Sequence, residues 1–423
     1  MARRIGCGLR FGAIALVAAC NVYDPSLLGE APSPNESGMG GEDSGANGSG
    51  GSPPDTGGAA GTAGGSGGLG GLGGTAGAPD AGAGGGSGDA GLDVQPPCTP
   101  LDAPRRTFGA PTGGVTAIYA ALSSLDLGDD PDTPASTRHR SHGYDLDATC
   151  SPAGSSACGA PAWPAAFEAD GADGIDATAG ALFERFSDLV PALRSSGYTE
   201  RIRESRGTLF LSVDGYNGET EDGLVGVSLA RTLPHGAPAW AGIDEWVLAA
   251  DDHDGELARP RYRDDQAYVA GSSLVAHFAS ARLRLPNPDA VPLDIELARA
   301  VLSCRVEPQS GVQPFRLTGC ILAGAWYYRD ALAALEAFPV PAFGAGGPPF
   351  CRDDVAYAGF RELVCGSVDL TLVAGSTASC DALSFALRFD TVPAFPNTQT
   401  LEPLPPPPER CGPPVDPADD DCA

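Results

Sequence analysis

Three aspartates lie within one short, glycine-containing loop, a pattern suited to binding a cation. Asp170, Asp173 and Asp176 are separated by Gly171, Ala172, Gly174 and Ile175. Carboxylate oxygens on a flexible turn are ligands that Ca²⁺ prefers, so the three aspartates form a candidate calcium site. The spacing does not match an EF-hand loop. The alternative is a solvated loop in which Asp176 caps a following helix.

Two histidines close together form a second candidate site. His139 and His142 are followed by Asp145 and Asp147. Imidazole and carboxylate groups can together hold a transition metal, and one histidine can act as a general base. The simpler interpretation is a polar loop beside Cys150.

Two pairs of carboxylates raise the question of glycoside hydrolysis, which uses two acidic groups across one bond. Asp244 and Glu245 are adjacent, and Asp294 and Glu296 share one face of a predicted strand. The apolar alternation around Ile295 favours instead a half-buried strand with one solvated face. A carboxylate-dependent glycoside hydrolase is therefore the less favoured function.

Large aromatic side chains near predicted loops point to carbohydrate binding, because a flat aromatic face can stack on a sugar ring. The residues in question are Trp163, Trp240, Trp246 and Tyr216. The alternative is that they belong to the core, where most of a large aromatic surface is buried.

Ten cysteines lie beyond the first 20 residues, and an even number in an exported chain is typical of disulfides. They are Cys98, Cys150, Cys158, Cys304, Cys320, Cys351, Cys365, Cys380, Cys411 and Cys422. None forms a C-x-x-C pair, so zinc and redox sites are disfavoured. The connectivity stays open. The leading pairings are Cys150 with Cys158 and Cys304 with Cys320 across a hairpin, and Cys422 is a candidate partner for Cys411.

The elements that carry these residues are mainly strands. Alternating apolar residues predict a hairpin over 207–232, and further strands are predicted over 245–248, 273–285, 293–306, 315–323, 368–373 and 382–391. Apolar stripes predict three helices, near 182–190, 332–338 and 355–364. The pattern favours a mainly β fold, a β-sandwich or jelly-roll-like domain with a few peripheral helices.

The N-terminal residues have the form of an export signal. Arg3, Arg4 and Arg10 precede a short apolar run that is too short to span a bilayer. The run ends in Leu16-Val17-Ala18-Ala19-Cys20, which resembles the lipobox of bacterial lipoproteins. The resemblance implies cleavage before Cys20 and acylation of its sulfur, which would attach the mature chain to a membrane. The alternative is an ordinary signal peptide with an incidental Cys20.

A glycine-rich linker follows. Residues 31–96 contain 25 glycines, and no aromatic residue occurs over 24–107. Such a segment buries too little apolar surface to offset its chain entropy, so we expect it to be disordered and to span about 45 Å. The predicted organisation is a signal peptide over 1–19, a lipid-anchored Gly/Ala/Ser-rich linker over 20–97, a disulfide-bonded β-rich domain over 98–395, and a Pro-rich acidic tail over 396–423.

The whole chain also resembles a class of uncharacterised lipoproteins from high-GC bacteria. These share a lipobox, a glycine-rich spacer, a G-Y-N-G strand-turn like Gly215 to Gly218, and a C-terminal block like Cys351…Tyr357…Cys365. The resemblance supports this architecture and gives no information about an activity.

Composition narrows the function further. All 26 basic residues are arginine, which excludes a P-loop, a pyridoxal Schiff base and a Ser-Lys dyad. A formal charge of −28 argues against nucleic-acid partners. We therefore expect an extracytoplasmic cell-envelope lipoprotein that displays a binding or adhesion module, with carbohydrate or another envelope protein as partner. The alternative is a structural envelope component with no small ligand.

Overall fold

Eight antiparallel strands form a closed barrel in the computed structural model. Their order is β1-β2-β3-β5-β6-β7-β8-β9, and β9 pairs back with β1. The barrel strands are β1 (Thr116–Asp126), β2 (Leu209–Tyr216), β3 (Asp222–Arg231), β5 (Tyr262–Ala270), β6 (Ser273–Leu285), β7 (Leu293–Pro308), β8 (Phe315–Tyr327) and β9 (Ala382–Pro393). The β5–β6 ladder is the shortest of the barrel and runs from the Tyr268–Val275 pair to the Ala270–Ser273 pair.

The period-2 alternation of the strands decides which side chains fill the barrel. In β2, Leu209, Leu211 and Val213 point into the main core, while Phe210 and Ser212 point outward. Opposite walls pack through one continuous apolar cluster, as the two faces of a sandwich do.

A second, smaller layer covers part of the outside of the barrel. Strand β4 (Glu245–Ala249) pairs in parallel with β10 (Phe395–Glu402). Trp246 and Leu248 of this layer pack on the outward-facing Ala121, Phe210 and Ala230 of the barrel. Strands β1, β2 and β3 therefore have apolar residues packed on both faces, against the barrel interior on one and against the β4–β10 layer on the other.

Four helices lie around the barrel in the described part of the chain. They are α1 (Thr178–Leu189), α2 (Ser195–Arg203), α3 (Tyr328–Ala334) and α4 (Tyr357–Gly366). In α1, Leu182, Phe183 and Phe186 form one buried stripe, and Phe183 stacks on Trp326 of β8 with ring centroids 6.4 Å apart. Helix α2 packs on β1.

The predicted mainly β fold with peripheral helices is confirmed. The strand order specifies it further, because sheet neighbours are almost all consecutive in sequence, as in a meander. The predicted segment 368–373 contributes only an isolated bridge between Leu370 and Ala382. Strands β1, β5 and β10 and helix α2 were not predicted.

Three disulfides are described. Cys304–Cys320 joins β7 to β8, as predicted for a hairpin. Cys411 pairs with Cys351 and Cys422 with Cys365, so the predicted pairing of Cys411 with Cys422 is wrong. The segment predicted as a separate acidic tail therefore folds back onto the domain. It supplies most of β10 (Phe395–Glu402), and its two cysteines bond to Cys351, ahead of α4, and to Cys365 in α4. Cys380 is also disulfide-bonded.

The structure describes residues 101–129, 133, 138–149, 173–190, 193–204, 206–287, 291–338, 349–372, 380–405 and 411–422. Predictions for the leader, Cys20, the linker, Cys98, Cys150, Cys158, Trp163 and Asp170 concern residues outside these ranges. Across the described ranges, no helix has both the length and the apolar character needed to cross a membrane.

Candidate functional site

A groove of about 500 Å³ lies on the outer face of the barrel, next to the β4–β10 layer. Its floor comes from β1, β2, β3 and β5, and its wall from residues 253–260. The lining residues are Tyr119, Phe210, Ser212, Asp214, Ser228, Ala230, Leu248, His253, Leu257, Ala258, Pro260, Arg263 and Pro396. A volume of this size is within the usual range for small-molecule sites.

The aromatic part of the floor is held rigidly. Tyr119 stacks on Phe210 with ring centroids 6.2 Å apart and an interplanar angle of 28°. The Gln313 side chain accepts from the Tyr119 backbone N–H at 2.8 Å and donates to the Tyr119 carbonyl at 2.9 Å. It also donates to the Ala394 carbonyl at 2.9 Å, which ties β1 to the second layer.

The polar part of the floor is an ion pair between β2 and β5. Arg263 donates to both carboxylate oxygens of Asp214, at 2.9 and 3.3 Å, and to Asp265 at 2.5 Å. The pair lies across Gly226 of β3. A Cβ at residue 226 would stand 2.5 Å from Arg263 Nη2 and from Asp214 Oδ1, so any side chain there would displace the pair.

His253 supplies a third kind of group. Its ring is buried, and Nδ1 lies 3.0 Å from the carbonyl oxygen of Ala249. When Nδ1 donates to that carbonyl, Nε2 is the ring nitrogen left to accept a hydrogen bond. The backbone of His253 bridges to Pro260, which closes the wall loop.

The groove thus combines a flat aromatic surface with fixed hydrogen-bonding groups. Asp214 accepts, Arg263 donates, and Ser212 and Ser228 do both. These groups can orient a ligand that has an apolar face and several hydroxyls.

The predicted calcium residues are not brought together as expected. Asp170 is outside the described residues, Asp173 is exposed, and Asp176 is buried. Asp176 instead lies with Asp145 and Asp147, where one carboxylate oxygen of each is within 4.8 Å of the others. Burial, and then the charge of Asp147, raise the pKa of Asp145. The calcium site itself stays a prediction.

Asp176 does not cap α1, contrary to the alternative raised by the sequence. The N-cap is Ala177, which makes no side-chain capping bond. Asp176 Oδ2 accepts from the Leu146 backbone N–H at 2.6 Å instead, and so holds the loop around residues 143–148.

The predicted histidine pair is buried rather than displayed on a polar loop. His142 Nδ1 lies 3.0 Å from Ser141 Oγ and 3.9 Å from Asp126 Oδ2. Burial lowers the pKa of His142, although Asp126 opposes the effect, while the charge of Arg388 adds to it.

This burial predicts a pH dependence of stability. In the unfolded chain His142 binds a proton near pH 6.5, whereas the folded protein binds it only at lower pH. Between these two values unfolding takes up a proton, so the free energy of unfolding decreases as pH falls below about 6.5. The slope contributed by this one group is at most about 1.4 kcal/mol per pH unit.

The measurement is urea unfolding at pH 7.5 and 5.5 with the disulfides intact. We expect His142→Gln to lose less stability on acidification than the wild type. His277→Gln, which changes an exposed histidine of β6, should retain the wild-type slope. Identical slopes for wild type and His142→Gln would contradict the assignment.

In each predicted carboxylate pair the aspartate is held by hydrogen-bond donors, and the other member, Glu245 or Glu296, is exposed. Asp294 accepts two hydrogen bonds from Arg284, at 2.7 and 2.6 Å, and lies 3.6 Å from Arg231. Asp244 accepts from the backbone N–H groups of Ala239 and Trp240, both at 2.8 Å. Such carboxylates are held by donors in the folded protein and are poorly placed to act as a catalytic pair.

Most of the aromatic residues that the sequence predicts to contact a sugar belong to the core instead. Trp246 and Tyr216 are buried, and Trp240 packs on Trp246 with ring centroids 5.4 Å apart. The aromatic ring offered to the groove is Tyr119 instead, and the buried Phe210 supports it from behind. The alternation of β2 already placed Phe210 outward, whereas no sequence signal singled out Tyr119.

Comparison with known proteins finds no matching family model, no matching curated protein and no matching solved structure.

Proposed function

We propose that the protein is a lipid-anchored component of the bacterial cell envelope whose barrel domain binds neutral carbohydrate in the outer groove. The lipobox-like residues ending at Cys20 and the glycine-rich linker support the anchoring. The observation that carries the ligand class is the groove floor, where the Tyr119–Phe210 stack adjoins the Asp214–Arg263 pair.

This pairing of surfaces suits a sugar. A sugar ring presents C–H groups on a face, which pack on an aromatic ring, and hydroxyls at its rim, which need donors and acceptors at fixed positions. Asp214 and Arg263 hold each other in place, so their remaining hydrogen-bonding capacity is presented at little entropic cost.

Charge favours a neutral ligand. The two charges on the floor cancel, and the arginines of the wall loop are paired, Arg261 with Asp254 at 2.9 Å and Arg259 with Glu256 at 3.7 Å. No described cation of the wall is therefore offered unpaired to an acidic glycan. The formal charge of −28 also repels polyanions.

The experiment is a glycan array, followed by calorimetric titration of each hit, on mature protein carrying Cys20→Ser to keep it in solution. We expect Tyr119→Ala to weaken binding at least about tenfold, since it removes the exposed part of the stack. Gly226→Ala should have a similar effect by displacing the Asp214–Arg263 pair.

The matched control is Tyr328→Ala, which removes a partly buried tyrosine of α3 away from the groove. It should bind as the wild type does. Absence of any glycan hit, or hits that survive both groove substitutions, would contradict the proposal.

A further inference from the structure

One end of the barrel exposes an unusual set of apolar side chains. We call it the linker end, defined by residues 104–115, which lead into β1, and by the strand turns at 217–221, 271–272 and 309–314. Four large apolar residues are exposed there, namely Phe108, Val115, Leu224 and Val312, and Phe108 and Val115 are fully exposed.

The turn that carries Phe108 is held firmly on the barrel. The Ala110 N–H donates to the Thr107 carbonyl at 3.3 Å, with Gly109 at φ +75° at the bend. On one side of this turn, the Tyr268 hydroxyl donates to the Pro104 carbonyl at 2.7 Å.

On the other side of the turn, two backbone bonds continue the attachment. The Gly223 N–H donates to the Pro111 carbonyl at 2.7 Å, and the Gly114 N–H donates to the Gly215 carbonyl at 2.8 Å. Leu224 directly follows Gly223, so the first bond holds Leu224 next to the segment over 104–115. Val115 directly follows Gly114, so the second bond holds Val115 next to the end of β2. The barrel therefore presents these side chains in a fixed arrangement.

The area is too small for a stable protein partner. Four side chains bury at most a few hundred Å², whereas a stable interface needs roughly 800 Å² per partner. Binding to a lipid surface does not require so large an area, because its strength scales with the apolar area inserted.

The predicted anchor at Cys20 and the predicted linker indicate that a membrane surface lies near the barrel. The described chain begins at Leu101, beside Asp145 and Asp173, and residues 104–115 lead from there to the linker end. The predicted linker span of about 45 Å keeps the barrel close to the membrane in which Cys20 would be anchored. This argument rests on the proposed anchoring at Cys20.

From these observations we infer that the linker end docks on the membrane surface, with the Phe108 ring inserted at the boundary between headgroups and acyl chains. Tethering makes a weak contact sufficient, since the second binding event is intramolecular. Neutral lipid is the expected surface, because a formal charge of −28 opposes approach to an anionic one.

The test uses flotation of the mature Cys20→Ser chain with phosphatidylcholine vesicles, which separates docking from anchoring. We expect measurable partitioning of the wild-type protein and about tenfold weaker partitioning of Phe108→Ser. The reason is that transfer of a partly inserted phenyl group from lipid to water costs a free energy that corresponds to about a tenfold change. Val115→Ser should lower it less. Val355→Ser, which changes an equally exposed valine near α4, should leave it unchanged.

Two outcomes would overturn the inference. One is equal partitioning of the wild-type barrel and Phe108→Ser. The other is concentration-dependent dimerisation in solution that Phe108→Ser abolishes, which would make a second copy the occupant. Mass analysis of the Cys20-containing protein reports acylation separately, and Phe108→Ser should retain glycan binding, so failure of the proposed function is distinguishable.

Discussion

Replacing Asp252 by alanine is expected to lower the free energy of unfolding by about 3–5 kcal/mol. The Asp252 carboxylate accepts four hydrogen bonds from Arg231, one from its backbone N–H at 2.6 Å and three from its guanidinium at 2.5–3.1 Å. The Asp252 side chain is 0% exposed and that of Arg231 is 3% exposed. The substitution would leave a buried guanidinium whose remaining carboxylate partner, Asp294, is 3.6 Å away.

The matched control lies two residues along the chain. Asp254 pairs with Arg261 at 2.9 Å, but both side chains are more than half exposed. Asp254→Ala should therefore cost at most about 1 kcal/mol. Urea unfolding of both variants measures the difference, and equal effects would show that burial of the Arg231–Asp252 pair has no special consequence.

Asp252 also links stability to the groove. It directly precedes His253, and its backbone carbonyl accepts from the Arg261 N–H at 2.8 Å, which holds the wall loop closed. We expect Asp252→Ala to weaken ligand binding as well, by loosening that wall.

The sequence was sufficient for strands whose two faces differ clearly. The predicted strand over 273–285 coincides with β6, because its apolar and polar residues alternate over 276–278 and again over 280–285. β1 was missed since its Ala-rich run, including Ala120 and Ala121, is buried on both faces and does not alternate. β5 was missed because outward charges such as Arg263 and Asp265 interrupt its start.

The groove was beyond sequence reasoning for a different reason. Tyr119 and Phe210 are 91 positions apart, and the antiparallel pairing of β1 with β2 makes them diagonal neighbours on the outer face of the barrel. No local spacing encodes such a contact. The aromatic residues that seemed most available in sequence, Trp246 above all, became the core of that second layer.

The disulfides illustrate the same division. Cys304 and Cys320 flank one hairpin, so their pairing follows from local pattern. Cys422 pairs with Cys365 of α4 because the C-terminal segment returns to the barrel, a long-range event that proximity to Cys411 could not reveal.

Trp246 therefore carries the second prediction of large effect. Trp246→Ala should lower the free energy of unfolding by about 3–5 kcal/mol, since it removes a fully buried indole from the small layer and leaves a cavity beside Phe210 and Leu248. If the sequence-based role as a sugar-stacking residue were correct, the substitution would instead weaken glycan binding with little effect on stability. Urea unfolding and glycan titration together separate the two roles.

A conservative replacement sharpens this test. The Trp246 Nε1 atom is buried and has no hydrogen-bond partner among the described residues, so Trp246→Phe breaks no hydrogen bond and leaves a smaller cavity. We expect it to cost no more than about 1.5 kcal/mol and to keep glycan affinity near the wild-type value. A large loss of affinity in Trp246→Phe at unchanged stability would place Trp246 in contact with the ligand. The reverse pattern would show that the second layer acts by supporting Phe210 from below, and so holds the groove floor against which a sugar ring packs.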